Sequence, residues 1–256
     1  MTPDAVVEAL QLPADCAVDV RVPKTQLQAH TGFSAADRRL LQDGIDTLCW
    51  AAAIRPDAVG IPAYTTPDGS RRIPELQVMT LQVRSGAKLT RLEELLHRAV
   101  PYPILLVSEQ ESGPRISVAL KRMSYTRNNE VTLDTPPVTA SVGDVPMPVG
   151  DAFLSALQLD RQPRSDLGTV YEGWLTCTVA LCVAAVIGEF TLAGTLDAAQ
   201  AQLTALADSS RLEAEISKLL TQIKKEKQIP RRIELQDQIK AKRIALSAAH
   251  DTLRVV

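Results

Sequence analysis

Aromatic side chains make up only 4% of this 256-residue chain, so its core must be built from Leu, Val, Ile and Ala rather than from large rings. Histidine is confined to His30, His97 and His250. They fall on three separate segments, away from any cysteine at ligand spacing, which argues against a zinc site. The four cysteines, Cys16, Cys49, Cys177 and Cys182, form no CxxC pair. They read as structural thiols of a reduced protein rather than a disulfide framework or a metal set. No GxxxxGK[ST] or GxGxxG run occurs, so no backbone cradle for a nucleotide phosphate is evident, and no GxSxG elbow offers a serine nucleophile. The opening residues lack the basic and apolar stretches of a secretory leader. The uncharged stretch Trp174 to Gly188 falls short of the roughly 20 residues that span a bilayer and meets Glu189. A buried core helix is expected, in a cytoplasmic protein with no membrane contact, no cofactor and no metal.

What is present is ordinary globular material, 45% hydrophobic and 23% charged, with its charge unevenly spread. From Arg211 onward there are 11 Lys or Arg against 6 Asp or Glu, which leaves 17 basic and 24 acidic residues for the rest. An acidic body with a basic tail is a poor general binder of nucleic acid through the body.

Along the chain, residues 1–14 carry Val6, Val7 and Leu10 on one helical stripe, and Ala17 to Val22 alternates like a strand. Ser34 and Asp37 form a capping box. The helix it opens is predicted to carry Leu40, Leu41, Ile45, Leu48 and Cys49 and to end before Pro56. Asp57 to Gly69 is turn-rich, and Glu75 to Val83 is strand-like. Thr90 is placed to cap a helix with Leu92, Leu95, Leu96 and Ala99 on its apolar face, leaving His97 on the outer face. Pro101 and Pro103 end that helix. Ile104 to Val107 is an all-apolar interior strand, Ile116 to Leu120 its hairpin partner, and a further strand or two is expected between Tyr125 and Leu133. Four prolines and two glycines between Thr135 and Gly150 mark a connector. A short helical piece follows at Asp151, then a helix from about Asp166 to Phe190.

The tail has a different pattern. Leu212, Ile216, Leu219 and Ile223 recur at the 4-3-4 spacing of a coiled-coil seam. Leu235, Ile239 and Leu246 form a second seam around Lys242. The two do not share a register, and Pro230 lies between them, where a proline is tolerated only in the first turn of a new helix. An antiparallel hairpin turning near Lys227 to Arg231 satisfies this, with its seams packed on each other or on a partner; a single bent helix is the alternative. The fold class expected is α+β: a mixed or antiparallel sheet with flanking helices, plus a C-terminal helical-hairpin arm. The expected division is an α+β domain over 1–135, a Pro-rich connector and buried helix completing that body over 136–195, and the hairpin over 196–256.

Two features bear on chemistry. Asp68 with Glu75-Leu76-Gln77 imitates the Asp…Glu-x-Lys arrangement of metal-dependent nucleases, but glutamine stands where a lysine would steer the attacking water. The cations Lys224, Lys225, Lys227, Arg231 and Arg232 could grip a phosphate backbone or an acidic partner. No aromatic residue is interleaved with them for stacking on bases.

Several segments together resemble a bacterial domain-of-unknown-function family, number 4391. They are Gly44-Ile-Asp-Thr-Leu-Cys-Trp50 with Ile54-Arg-Pro56, Glu75-Leu-Gln-Val78, Ala99-Val-Pro-Tyr-Pro-Ile-Leu-Leu-Val107, Val170-Tyr-Glu172, and Ile223-Lys-Lys-Glu-Lys-Gln-Ile-Pro-Arg-Arg-Ile-Glu-Leu235. The chain departs from the family's pattern before Pro56, where a basic residue and Leu are usual, and at Pro230, where Asn is usual. The resemblance implies no established enzymatic activity. It implies a setting beside Snf2-like helicases and adenine methyltransferases in restriction-like anti-phage islands. The expectation is therefore a non-catalytic adaptor subunit of such a complex, docking through Leu212, Ile216, Leu219, Ile223, Ile239 and Leu246. A DNA-contacting subunit and a divergent Mg²⁺ nuclease are the alternatives.

Overall fold

The computed structural model describes residues 2–28, 32–69, 72–123 and 131–254; His30, and the part of the expected strand from Tyr125 to Glu130, lie outside them. In chain order the elements are α1 (Pro3–Ala9), β1 (Ala17–Arg21), α2 (Lys24–Gln28), α3 (Ala35–Gly44), β2 (Ile45–Ile54) and α4 (Pro56–Val59). Then come β3 (Tyr64–Thr65), β4 (Arg72–Ile73), β5 (Leu76–Val83), α5 (Leu89–Ala99), β6 (Ile104–Ser108), β7 (Arg115–Val118), β8 (Lys121–Met123), β9 (Val131–Leu133) and β10 (Val138–Ser141). The chain finishes with α6 (Met147–Ala156), α7 (Leu167–Ile187), α8 (Leu196–Lys225) and α9 (Ile229–Leu253).

The main sheet runs β1-β2-β5-β6-β7-β10. Its pairs are antiparallel except β5 with β6. A parallel pair cannot be joined by a tight turn, and α5 supplies the crossover. Because side chains alternate across a strand, each face of the sheet has its own cover. Leu76, Val78, Leu105, Val107, Ile116, Val118, Val138 and Ala140 join the core under α1, α6 and α7. Met79, Leu81, Ile104 and Leu106 join a second core under α2, α3 and α5.

The helix expected to run on from Ser34 stops at Gly44. Its capping box forms as predicted, with Ser34 Oγ accepting from Asp37 N–H at 3.1 Å, but residues 45–54 are strand β2. The register of β2 on β5 shifts twice, between Ile45 and Thr47 and between Trp50 and Ala52. A bulge inserts one residue and reverses the alternation, so Ile45 and Leu48 share a face three residues apart. That spacing imitates a helix. Gly44 sits tightly at the junction: a Cβ there would lie 3.0 Å from Leu92 Cδ1, so any larger residue requires Leu92 to give way.

The presumed connector also contains structure: Val138–Ser141 forms β10, paired along β7, so 136–195 is built into the sheet of the preceding segment. Helix α7 is apolar on every side. Cys177 through Leu181 are buried consecutively. The helix is long and apolar enough to cross a membrane, yet most of its apolar window is buried inside the fold. Asp166 caps its start through a box with Thr169, and Gly188, at φ 82°, ends it.

Tyr171 fixes α7 on the sheet. Its hydroxyl accepts from Ala119 N–H at 2.9 Å and lies 3.0 Å from the carbonyls of Ile104 and Ala119. One hydroxyl hydrogen serves one of those two acceptors at a time. Trp174 Nε1 donates to Leu157 O at 3.0 Å and so ties α7 to the end of α6. The four thiols are unpaired; burial pushes Cys177 up to about 12 and Cys182 up to about 11, so neither is a ready nucleophile.

Tyr171→Phe keeps the ring's packing but leaves the buried Ala119 N–H without its acceptor. Stability should fall by about 1–3 kcal/mol, read as a lower urea midpoint with an unchanged slope.

Candidate functional site

The C-terminal arm is the first candidate. Thr195 caps α8 by accepting from Ala198 N–H at 3.1 Å. At 30 residues, α8 is about 45 Å long. It ends at Lys225, and the chain reverses through Glu226–Gln228 into α9, with Pro230 in the first turn. Glu226 Oε1 holds the reversal by accepting from Lys227 N–H at 2.8 Å and Gln228 N–H at 2.9 Å. The arm is therefore the antiparallel hairpin, not the bent helix.

Its two seams close on each other. Ile216, Leu219 and Ile239 form a small core, with Leu235 and Leu246 packed against it, and Leu212 is buried as well. Lys242, which interrupts the second seam, pairs with Glu215 across the hairpin. Of the residues expected to meet a partner, Leu212, Ile216, Leu219 and Ile239 are thus consumed inside the hairpin, while Ile223 and Leu246 are half-buried. The apolar side chains that the arm exposes are others: Leu220 at 38%, Ile229 at 71%, Ile233 at 53% and Ile244 at 64%. Seam periodicity identified the pair of helices but not their free faces, because a seam satisfied within the chain has the same spacing as one awaiting a partner.

At the root, Ala199, Ala205 and Leu253 belong to the main core. Gln202 Nε2 donates to Leu253 O at 3.2 Å, and Ser209 Oγ lies 2.9 Å from His250 Nε2. At the tip, Lys224, Lys225, Lys227, Arg231 and Arg232 are all exposed. All five flank the reversal between α8 and α9; Arg231 pairs loosely with Glu226 at 3.8 Å.

A second cluster went unseen in the sequence. His97 is fully buried rather than solvent-facing. One flank of helix α5, Glu93 and His97, covers polar side chains at the end of β6 and on β7. Glu93 Oε2 lies 3.1 Å from Arg115 Nη2, and Glu93 Oε1 accepts from Ser108 Oγ at 3.0 Å. Arg115 also donates to Thr139 Oγ1 at 2.9 Å. His97 Nε2 is 2.8 Å from Ser117 Oγ. Lys121 Nζ donates to Val100 O at 2.9 Å and Tyr102 O at 2.6 Å, closing the end of α5. The available signal was the strict alternation of Arg115-Ile-Ser-Val118 and Val138-Thr-Ala-Ser141, which announces a polar face without saying what covers it.

Among the described residues the Ser117–His97 pair lacks the third group of a nucleophilic triad, since His97 Nδ1 has no hydrogen-bond partner there to orient the ring. Burial, then the charge of Lys121, holds His97 well below 6.5. Burial brings Lys121 down to about 7 and raises Glu93, an effect that Arg115 opposes. The arrangement is suited to fastening α5 to β6 and β7.

The two acids of the nuclease-like motif lie in different connections, Asp68 before β4 and Glu75 after it. Glu75 is engaged by Arg55 Nε at 3.1 Å and by Gln77 Nε2 at 2.8 Å, while Asp68 is exposed in the turn between β3 and β4. Among the described residues no group of three His, Cys, Asp or Glu is arranged to hold a metal ion.

The buried ionisable groups predict a pH dependence. Below 6.5 the unfolded chain protonates at His97 and the folded chain does not, so stability falls on acidification. Between about 7 and 10.5 the unfolded chain holds the Lys121 proton that the folded chain has released, so stability rises with pH across that window. Glu93 contributes with the opposite sign just above its ordinary 4.5. Urea midpoints measured against pH should therefore show a shallower acid slope for His97→Gln and a flatter alkaline slope for Lys121→Met than for the wild type.

In comparison with known proteins, the profile of a family described as Domain of unknown function (DUF4391) matches residues 10–246. No curated protein and no solved structure matches. The match covers the sheet, α7 and nearly all of the hairpin, and the chain belongs to the DUF4391 family.

Proposed function

We propose that this chain is a non-catalytic cytoplasmic subunit that joins a larger bacterial complex by presenting its C-terminal hairpin to a partner protein. The observation that carries the reading is the hairpin's construction. Its root is embedded in the main core, while its distal seam forms a core of its own. Beyond that seam, Ile229, Ile233 and Ile244 are left exposed. Large apolar side chains grouped on one element mark interaction surfaces, and a groove between helices is a recurring seat for a partner helix. The genomic setting implied by the family resemblance gives the partner class: a helicase and a methyltransferase of an anti-phage, restriction-like assembly.

The test is affinity purification of the tagged full chain co-expressed with its neighbouring genes, beside a variant whose residues 214–245 are replaced by a short Gly-Ser linker. That variant keeps the root contacts at Gln202, Ser209, His250 and Leu253. The wild type should retain the helicase or methyltransferase and the shortened arm should lose it; equal retention by both overturns the reading.

The exposed cations at the tip favour a second reading, in which the arm touches a DNA backbone. Affinity for duplex DNA should then fall steeply with salt, by a logarithmic slope of about 0.9 per phosphate contacted. Charge reversal at Lys224, Lys225, Lys227, Arg231 and Arg232 should abolish binding. No mobility shift at low salt eliminates this reading.

A further inference from the structure

One flank of the hairpin carries a groove of about 570 Å³ between α8 and α9, and no carboxylate lines it. Leu220, Ile223, Ile239 and Ile244 supply its apolar surface, and Arg232, Lys240 and Arg243 its charge. Among the described residues none of these three cations is paired with an acid. Three other cations of the arm do have acid partners, Lys242 with Glu215, Arg211 with Asp208 at 2.7 Å, and Arg231 with Glu226. The groove therefore presents uncompensated positive charge beside exposed isoleucine and leucine.

Gln236, Lys240, Arg243 and Ser247 recur at 4-3-4 along α9, so they share one face of that helix beside the seam that faces α8. The groove therefore runs along the helix axes on the flank of the α8–α9 pair, where a third helix lies in a three-helix bundle. We infer that this groove seats an acidic amphipathic helix of a partner protein, which completes a three-helix bundle with α8 and α9. Its apolar stripe covers Leu220, Ile223 and Ile244, and its flanking Glu or Asp residues pair with Arg232, Lys240 and Arg243. A nucleic-acid backbone would meet the cations but leave the apolar floor against water and phosphate. The inference rests on the docking reading above and specifies its surface and the chemistry of its partner.

The probe is a designed amphipathic peptide of about 20 residues, long enough at roughly 30 Å to follow the groove, with Leu at the seam positions and Glu beside them. It is titrated into the full chain and followed by fluorescence anisotropy; its control replaces every Glu with Lys. The acidic peptide should bind the wild type, and Ile244→Glu and Arg243→Glu should each weaken binding at least tenfold. Both sites are exposed, so helical circular dichroism and Tm should stay at wild-type values. Equal affinity for the Lys control, or binding indifferent to both substitutions, overturns the inference. So does a concentration-dependent dimer of the chain that Ile244→Glu dissolves, or duplex DNA binding lost with that substitution. In the co-expression experiment, partner lost from the linker variant but kept by Ile244→Glu and Arg243→Glu disproves the groove and leaves the docking role standing. Partner kept by all three removes both.

Discussion

A helix without a solvent face must be enclosed before it contributes anything, and α7 is such a helix over Cys177 to Leu181. Burial of its apolar surface, at about 25 cal/mol per Å², is the driving term that the other elements arrange themselves to capture. The sheet closes one side through β7 and β10, α6 closes another, and the first turns of α8 lie across the remainder. Tyr171 and Trp174 give that non-directional attraction a fixed geometry, because each must bring a polar atom to a buried backbone partner. The placement of the arm follows from the same requirement: α8 begins where it covers α7, and only then leaves the body.

The parts of the fold legible in the sequence are those where local chemistry and tertiary context agree. The box at Ser34, the interior strand at Ile104 to Val107 and, of the two solutions open at Pro230, the hairpin with proline in the first turn of a new helix were each realised. The failures have specific causes. In β2 two register shifts converted a strand's alternation into the spacing of a helix. In β10 a short edge strand hid among prolines, which tolerate exactly such an edge position. His97 looked exposed because a helical wheel shows which residues are apolar, not how wide an arc the neighbours will cover.

The candidate sites were unequally legible for the same kind of reason. The tip cations are close together in sequence and all flank the one reversal between α8 and α9. The strip formed by Glu93, His97, Ser108, Arg115 and Ser117 draws on a helix and two strands, and its members were individually unremarkable polar residues. Its ion pair, with Glu93 wholly enclosed, is costly to desolvate and worth keeping mainly for the single orientation it imposes on α5. Coupled to Lys121 at the end of α5, it fixes the crossover helix against the polar side chains at the end of β6 and on β7.

The hairpin returns to where it started: α9 ends with Leu253 in the same core from which α8 departs. Its length is therefore decoupled from the body's architecture. Adding or removing one seven-residue period in both helices at once would preserve the seam, the root and the tip while changing the reach by about 10 Å. Paired insertions alone would therefore set how far the tip stands from the body, without redesigning either end.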